Sequence, residues 1–179
     1  MKEEIIITDS RVQASLSWIL KSPHRFLAFG FGSGLVRPAP GTWGTLLALL
    51  LWFPLSHLLQ SDWLIGGFLV LCFLYGIYCS QKVCDELGVD DHGGIVWDEW
   101  VAFWLVLFVT TPIASGPFWY LTYFVLFRVF DILKPWPIKY FEQQFQNGFG
   151  VMLDDVIAAL YVLFSVAVII RLMGVIIGS

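Results

Sequence analysis

The sequence has few charged residues: only 13% of its 179 residues are Asp, Glu, Lys or Arg, whereas a soluble globular domain has about a quarter. Positive charge is the scarcer sign, with 10 Lys and Arg against 14 Asp and Glu, so the formal net charge is -4. A protein that binds nucleic acid through its phosphates needs a basic surface. The charge balance therefore argues against a nucleic-acid-binding protein.

Cysteine is also scarce. The chain has three, Cys72, Cys79 and Cys84, and their number is odd. No Cys-x-x-C pair and no histidine at zinc-ligand spacing accompanies them. We therefore expect buried thiols, and neither a disulfide framework nor a zinc site.

Several familiar motifs of phosphate chemistry are missing. No Gly-Lys-Ser/Thr follows the glycine-rich segment 30–45, which excludes a Walker A loop. The chain also lacks the Cys-x5-Arg and Asp-x-Asp-x-Thr/Val motifs that supply covalent nucleophiles in other phosphatases. If this protein hydrolyses a phosphate ester, water activated by a metal ion is the simpler mechanism.

Apolar residues are abundant. They make up 58% of the chain, with 16 Phe and 9 Trp, which is more apolar surface than one small core can bury. We therefore predict an all-α, multihelical integral membrane bundle that forms a single domain over residues 1–179. It should contain about five hydrophobic helices and an N-terminal interfacial segment, residues 1–37.

Five segments are candidate membrane spans: 43–59, 63–80, 95–111, 117–134 and 154–177. The first two are separated by only a few residues and should form a hairpin. The uncharged stretch 100–127 is too long for one span of about 20 residues. Because Pro112, Gly116 and Pro117 interrupt it and mark a turn, we interpret it as parts of two helices.

The distribution of basic residues agrees with five spans and a cytoplasmic N-terminus. In that topology every Lys and Arg except Arg171 lies on the cytoplasmic side or at its boundary, as the positive-inside rule requires. The acidic start of the chain also lacks the basic region of a signal peptide. We expect the C-terminus on the outer side. Residues 11–29 should form either an interfacial helix or a helix that covers the bundle.

The acidic residues converge in this topology. Asp98 and Glu99 begin the third helix, Asp131 lies near the end of the fourth, and Asp154 and Asp155 begin the fifth. Carboxylates in a membrane helix are costly unless they are paired or bind a metal ion, although acids also cap helix N-termini. Hard oxygen ligands suit Mg²⁺ or Mn²⁺. We predict that the metal ion is bound by Asp98, Glu99, Asp154 and Asp155. Asp131 should support the metal ion or the attacking water.

Two cations flank Asp131. Arg128 and Lys134 are spaced to share roughly one helix face with it, so they could bind a phosphate or merely neutralise Asp131. Gly41 and Thr42 lie at the helix N-terminus that opens into the first span, where backbone N–H groups can bind an anion, although small residues there could equally serve close helix packing.

Two further candidates lie in glycine-containing loops. His92 follows two aspartates and precedes two glycines, and it could be a metal ligand, a general acid or a solvated loop residue. Ser33 lies within the glycine-rich segment and is a candidate for substrate binding.

Taken together, the motifs resemble the phosphatidylglycerophosphatase A family of bacterial inner-membrane lipid phosphatases over about residues 25–160. The motifs that carry this resemblance are Phe31-Gly-Ser-Gly34, Pro40-Gly-Thr42, Asp91-His-Gly-Gly94, Val96-Trp-Asp-Glu99, the run from Arg128 to Ile138, and Asp154-Asp155. The resemblance implies a helical enzyme that uses magnesium to hydrolyse the terminal phosphomonoester of phosphatidylglycerophosphate, giving phosphatidylglycerol. Thr45 and Gly94 stand where we expect serine in family members, and they have no assigned role.

A divalent-cation transporter is the alternative function, because it would also use acids within the membrane. A transporter predicts acids near the middle of the spans and no phosphate-binding bases. The middle portions of the spans are nearly free of charge, which favours a phosphatase that acts on a phospholipid at the cytoplasmic face. The sequence does not indicate an oligomeric state.

Overall fold

The computed structural model describes the backbone of residues 14–177 and the side chains of residues 14–174. The expected cytoplasmic N-terminus, the first part of the interfacial segment and the C-terminal residue lie outside the described residues. Helices and their connections make up the described chain, and residues 14–177 contain no strand. The prediction of an all-α, multihelical fold is confirmed.

Five long helices correspond to the five predicted spans, and short helices precede and separate them. The elements are α1 (Leu16–Ile19), α2 (Pro23–Ala28), a 3₁₀ segment (Gly30–Leu35), α3 (Pro40–Leu59), α4 (Asp62–Leu87), α5 (Trp97–Thr110), α6 (Pro117–Leu133), α7 (Ile138–Gln144) and α8 (Gly148–Ile177).

The helix ends differ from the sequence-based bounds for local reasons. Helix α3 begins at Pro40, since proline fits the first turn of a helix, where its missing N–H is not needed. Helix α4 continues past the charged residues after Ser80 and ends before Gly88, whose φ of 67° is left-handed. Helix α8 starts at Gly148, so that Asp154 lies within the helix and not at its beginning.

Within the described part of the chain, three helices are long and apolar enough to cross a membrane: α3, α4 and the part of α8 up to Gly174. Helix α5 has 14 residues and α6 has 17, which correspond to about 21 and 26 Å. The hydrocarbon core of a bilayer is about 30 Å thick. The three candidate spans give the chain the character of a membrane protein. Because α5 and α6 are shorter than the hydrocarbon core, the crossing of all five helices stays a prediction.

Helix α5 is the central element, packed by α3, α4 and α8, and most of its side chains are buried. Its tryptophans anchor it to its neighbours. The indole Nε1 of Trp97 donates to the Cys72 carbonyl (3.0 Å) and that of Trp104 donates to the Ala48 carbonyl (2.8 Å). These bonds fix the position of α5, and with it the acidic residues of its first turn.

The short N-terminal helices cover the bundle at α4. The Glu86 carboxylate of α4 accepts from Arg25 Nε (2.7 Å) and lies 3.1 Å from His24 Nε2. Arg25 also lies over the ring of Trp18, 4.2 Å from its centroid. The contacts favour the bundle-covering alternative for this segment. The three cysteines are free and buried, as expected.

Candidate metal and phosphate site

Three carboxylates from two helices meet beside the N-terminus of α5. Asp98 and Glu99 belong to the first turn of α5, and Asp155 comes from α8, which packs along α5. One oxygen from each of the three side chains lies within 4.8 Å of the others. Glu99 and Asp155 are buried and Asp98 is partly buried. We call these residues the carboxylate cluster.

The cluster contains oxygens that no protein group satisfies. Among the described side chains, Glu99 Oε2 and Asp155 Oδ2 are buried and have no hydrogen-bond partner. A buried oxygen without a partner is destabilising, and neighbouring carboxylates repel one another. A divalent cation would remove both penalties, and carboxylate oxygens are the ligands that Mg²⁺ and Mn²⁺ prefer. The cluster therefore fits a divalent metal ion.

Arg128 of α6 connects the cluster to its surroundings. Its Nη1 lies 2.9 Å from Asp131 Oδ2 and 3.4 Å from Glu99 Oε1. The same nitrogen donates to Thr45 Oγ1 at 3.2 Å, and this hydroxyl donates in turn to the Gly41 carbonyl at 2.8 Å. Arg128 thus joins α3, α5 and α6 at the cluster. Its Nε is buried and lacks a partner among the described residues.

Thr45 is a site residue that the sequence did not reveal. It is fully buried, and it meets Arg128 across 83 positions of the chain. A threonine within an apolar helix commonly donates its hydroxyl to the carbonyl one turn earlier. The residue type and its position in the sequence therefore did not predict the contact with Arg128.

Lys134 and Asp154 form an ion pair at the edge of the cluster. Lys134 Nζ donates to Asp154 Oδ2 at 2.6 Å and to Glu142 Oε1 of α7 at 2.8 Å. The two carboxylates neutralise the ammonium group of this partly buried lysine. Asp154 therefore faces a lysine, and its service as a further metal ligand stays a prediction.

Gly41 allows α3 to approach the cluster. A Cβ at this position would overlap Glu99 Oε1 and lie 2.8 Å from Arg128 Nη2. The backbone of the first turn of α3 therefore contacts the Glu99–Arg128 pair directly. The neighbouring Thr42 N–H already donates to the Ala39 carbonyl at 3.1 Å, so it has an internal partner, whereas the sequence suggested a free N–H group.

The two glycine-containing segments pack against each other. A Cβ at Gly34 would overlap the Gly94 carbonyl oxygen. Ser33 Oγ donates to the Gly30 carbonyl at 2.8 Å, and His92 Nδ1 accepts from the Gly94 N–H at 3.1 Å. Within the described residues, neither side chain forms a hydrogen bond or ion pair with the carboxylate cluster, so their predicted chemical roles stay predictions.

The environment of His92 disfavours the protonated form of its ring. Burial, followed by the positive charge of Arg37, lowers the pKa of His92, although Asp91 opposes the shift. The ring also packs against Phe29, with 5.5 Å between the ring centroids. These contacts place His92 in the turn before α5, and its roles as metal ligand or general acid stay predictions.

A cavity opens beside the Lys134–Asp154 pair. It has a volume of about 260 Å³, and polar side chains of two loops and of α7 contribute to its wall. The residues that line it are Asp90, Asp91, Glu142, Gln143, Phe145, Gln146, Gly150, Val151 and Asp154. It offers an aqueous approach to the site from the side of α7.

Comparison with known proteins agrees with the motifs of the chain. A Phosphatidylglycerophosphatase A from Haemophilus influenzae is 51% identical over 147 residues, which cover 82% of this chain and 88% of that protein. A Phosphatidylglycerophosphatase A from Escherichia coli is 37% identical over 139 residues, 78% of each chain. A relative from Bacteroides thetaiotaomicron, 39% identical over 143 residues (78% of this chain, 88% of that protein), is named provisionally as a phosphatidylinositol-3-phosphatase.

No solved structure matches this chain. At the level of families, residues 26–170 match the sequence profile of Phosphatidylglycerophosphatase A, and this range includes each member of the carboxylate cluster together with Arg128 and Lys134. The matched range is most of the chain, and the two named relatives are aligned over most of their own length. The chain belongs to the phosphatidylglycerophosphatase A family.

Proposed function

We propose that this protein is a magnesium-dependent lipid phosphatase that hydrolyses the terminal phosphomonoester of phosphatidylglycerophosphate to phosphatidylglycerol and phosphate. The reaction takes place at the cytoplasmic face of the bacterial inner membrane. The observation that carries the proposal is the carboxylate cluster with its two unpartnered buried oxygens, one on Glu99 and one on Asp155. Family membership and the names of the relatives supply the substrate.

In this proposal Asp98, Glu99 and Asp155 hold Mg²⁺. Bound there, the ion would neutralise charge on the phosphate and supply a hydroxide nucleophile from water at neutral pH. The free Nε–H of Arg128 binds a phosphate oxygen, while Asp131 keeps the guanidinium in place through their 2.9 Å ion pair.

Lys134 has a separate role in the proposal. Its ammonium group is held at 2.6 Å by Asp154 and is oriented toward the substrate phosphate as negative charge gathers on the leaving oxygen. Such a fixed cation stabilises the transition state more than the ground state. Asp154 is then a positioning residue for Lys134, and weaker Mg²⁺ binding by Asp154→Asn would make it a metal ligand as well.

The position of the acids argues against the alternative function as a divalent-cation transporter. Asp98 and Glu99 lie in the first turn of α5, and Arg128 and Lys134 lie next to the acids. A cation-conducting path would gain nothing from two basic groups at its entrance, because like charges repel. A phosphate ester, in contrast, needs both a cation site and basic groups.

The test is phosphate release by the purified protein from lipid phosphomonoesters in mixed micelles, with Mg²⁺ and with EDTA. Phosphatidylglycerophosphate should be hydrolysed only with the metal ion. Phosphatidylinositol 3-phosphate, suggested by the name of the Bacteroides relative, and phosphatidic acid serve as comparison substrates. Faster release from phosphatidylinositol 3-phosphate would replace the proposed substrate, and release unaffected by EDTA would overturn the metal dependence.

A further inference from the structure

Lys134 has two carboxylate partners, and the chemistry above uses only one of them. Its Nζ lies 2.6 Å from Asp154 Oδ2 and 2.8 Å from Glu142 Oε1. An ammonium group has three N–H donors, so these two bonds leave one donor for a substrate. Because two carboxylates face one ammonium group, negative charge is in excess here. A phosphate that approaches Lys134 is therefore repelled as well as attracted.

The two carboxylates are held with different firmness. The Asp154 side chain is 10% exposed and belongs to the long helix α8, and its Oδ1 also accepts from the Asp155 backbone N–H at 3.1 Å. The Glu142 side chain is 44% exposed and belongs to α7, which has seven residues. Exposed ion pairs contribute little stability, because water solvates the separated charges well. An anion at Lys134 therefore displaces Glu142 more easily than Asp154.

The cavity beside α7 gives Glu142 room to move. Glu142 and Asp154 both line this space of about 260 Å³, so the Glu142 side chain can turn away from Lys134 into it. Asp90 and Asp91 line the same cavity. A Glu142 carboxylate that turns into the cavity approaches their like charges, and this repulsion favours its return to Lys134.

We propose that Glu142 competes with phosphate for Lys134: the substrate phosphate displaces the Glu142 carboxylate, and the return of this carboxylate after hydrolysis helps to release the product phosphate. The inference rests on the proposed function, because it needs the substrate phosphate at Lys134. Throughout this exchange Asp154 stays bound to Lys134 and keeps the ammonium group in place. Glu142 is then a positioning residue that acts through Lys134.

The competition has a kinetic consequence. A phosphomonoester and inorganic phosphate carry similar charge near pH 7, so a free Lys134 would attract substrate and product alike. Binding the substrate and the transition state more tightly by the same amount lowers KM without raising kcat. The loss of Glu142 should therefore strengthen the binding of both lipid phosphate and inorganic phosphate, while turnover does not increase.

The experiment measures inhibition by inorganic phosphate during hydrolysis of phosphatidylglycerophosphate in mixed micelles, at constant free Mg²⁺. Glu142→Gln keeps the size of the side chain and removes its charge. It should lower both KM for the lipid and the inhibition constant of phosphate by about fivefold, the upper range for an ion pair of this exposure, with kcat no higher than in the wild-type protein.

The matched control is Asp85→Asn, which removes one carboxylate from an exposed position of α4, where Asp85 Oδ1 accepts from Gln81 Nε2 at 2.8 Å. It should leave both constants unchanged and so shows that the general surface charge is not responsible. Glu142→Ala should reproduce the effect of Glu142→Gln, whereas Glu142→Asp, which keeps the charge, should retain constants close to those of the wild-type protein. Thermal unfolding in detergent shows whether each variant is folded.

A double-mutant cycle tests whether the effect depends on Lys134. In a Lys134→Met background the partner is absent, so Glu142→Gln should leave the inhibition constant of phosphate for the residual activity unchanged. A decrease of the same size in this background would overturn the proposal, and so would an unchanged or higher inhibition constant in both Glu142→Gln and Glu142→Ala. These outcomes leave the phosphatase in place, whereas failure of the wild-type protein to release phosphate from the lipid would overturn the proposed function itself.

Discussion

Arg128 lies where three helices meet, and its one guanidinium group contacts side chains of all three. One nitrogen serves Asp131, Glu99 and Thr45 together, while Nε remains available for a ligand. The planar guanidinium has five donors in a fixed arrangement, whereas lysine offers a single point charge. The difference between the two side chains can therefore separate phosphate binding from simple charge neutralisation.

We predict that Arg128→Lys lowers kcat about a hundredfold, since one transition-state donor is commonly worth about 3 kcal/mol. Steady-state phosphate release in lipid micelles measures the effect. Arg25→Lys is the control, because Arg25 forms a comparable 2.7 Å bond with Glu86 away from the carboxylate cluster. Near-normal turnover of Arg128→Lys would leave Arg128 as a charge partner of Asp131 only.

At the scale of residues, the sequence predicts the acids better than their partners. Asp98, Glu99 and Asp155 could be grouped because charge inside apolar helices is rare and the topology brings the helix ends together. The contact of Thr45 with Arg128 and that of Glu142 with Lys134 depend on side-chain packing between elements. Neither follows from spacing along the chain.

The start of α3 is the element on which the geometry of the cluster depends most directly. Its first turn passes so close to α5 and α6 that only glycine fits at position 41. An added methyl group there must displace the Glu99 carboxylate or the Arg128 guanidinium. Interiors tolerate such overpacking poorly, at a cost of about 1–3 kcal/mol.

We therefore expect Gly41→Ala to lower phosphatase activity by about tenfold or more, because its packing cost falls on Glu99 and Arg128, the proposed metal ligand and phosphate-binding group. Gly66→Ala in α4 is the matched control, since a Cβ there meets nothing within 4 Å. Activity and thermal unfolding of both variants in detergent provide the measurement. A fully active Gly41→Ala protein would show that the Glu99–Arg128 pair can shift without consequence.

At the scale of elements, hydrophobic runs and breakers predicted each long helix, but not every end. Pro112, Gly116 and Pro117 separated α5 from α6 correctly. Helix α4 extends to Leu87 because its charged last turns pack against α2, and this tertiary contact cannot be seen in a hydropathy pattern. Helix α7 is short, and its seven residues are too few to show a helical period.

The fold of the whole molecule limits the possible topologies. Helices α5 and α6 form an antiparallel hairpin, since Phe103 packs on Phe127 (5.4 Å between centroids) and Glu99 meets Arg128. A hairpin adds two crossings or none. Three crossings by the candidate spans α3, α4 and α8 would make the total odd in either case, so the placement of the two ends of the bundle on opposite sides of the membrane stays a prediction.

Labelling of introduced cysteines decides whether the hairpin crosses. The native cysteines are buried, so a membrane-impermeant thiol reagent should leave them unmodified. Ser115→Cys, in the exposed turn between α5 and α6, should react in right-side-out vesicles. Lys139→Cys, exposed on α7, should react only after permeabilisation. Protection of Ser115→Cys in intact vesicles would mean that α5 and α6 do not reach the outer surface.

We predict that the carboxylate cluster binds the metal ion on which lipid phosphate hydrolysis depends. The most direct measurement is the Mg²⁺ dependence of phosphate release from phosphatidylglycerophosphate by Asp155→Asn, with Asp62→Asn as a control because Asp62 is exposed at the start of α4. We predict that Asp62→Asn retains the wild-type Mg²⁺ curve, whereas Asp155→Asn loses at least about a hundredfold in kcat at every Mg²⁺ concentration. A wild-type Mg²⁺ curve for Asp155→Asn would show that Asp155 does not hold the catalytic metal ion.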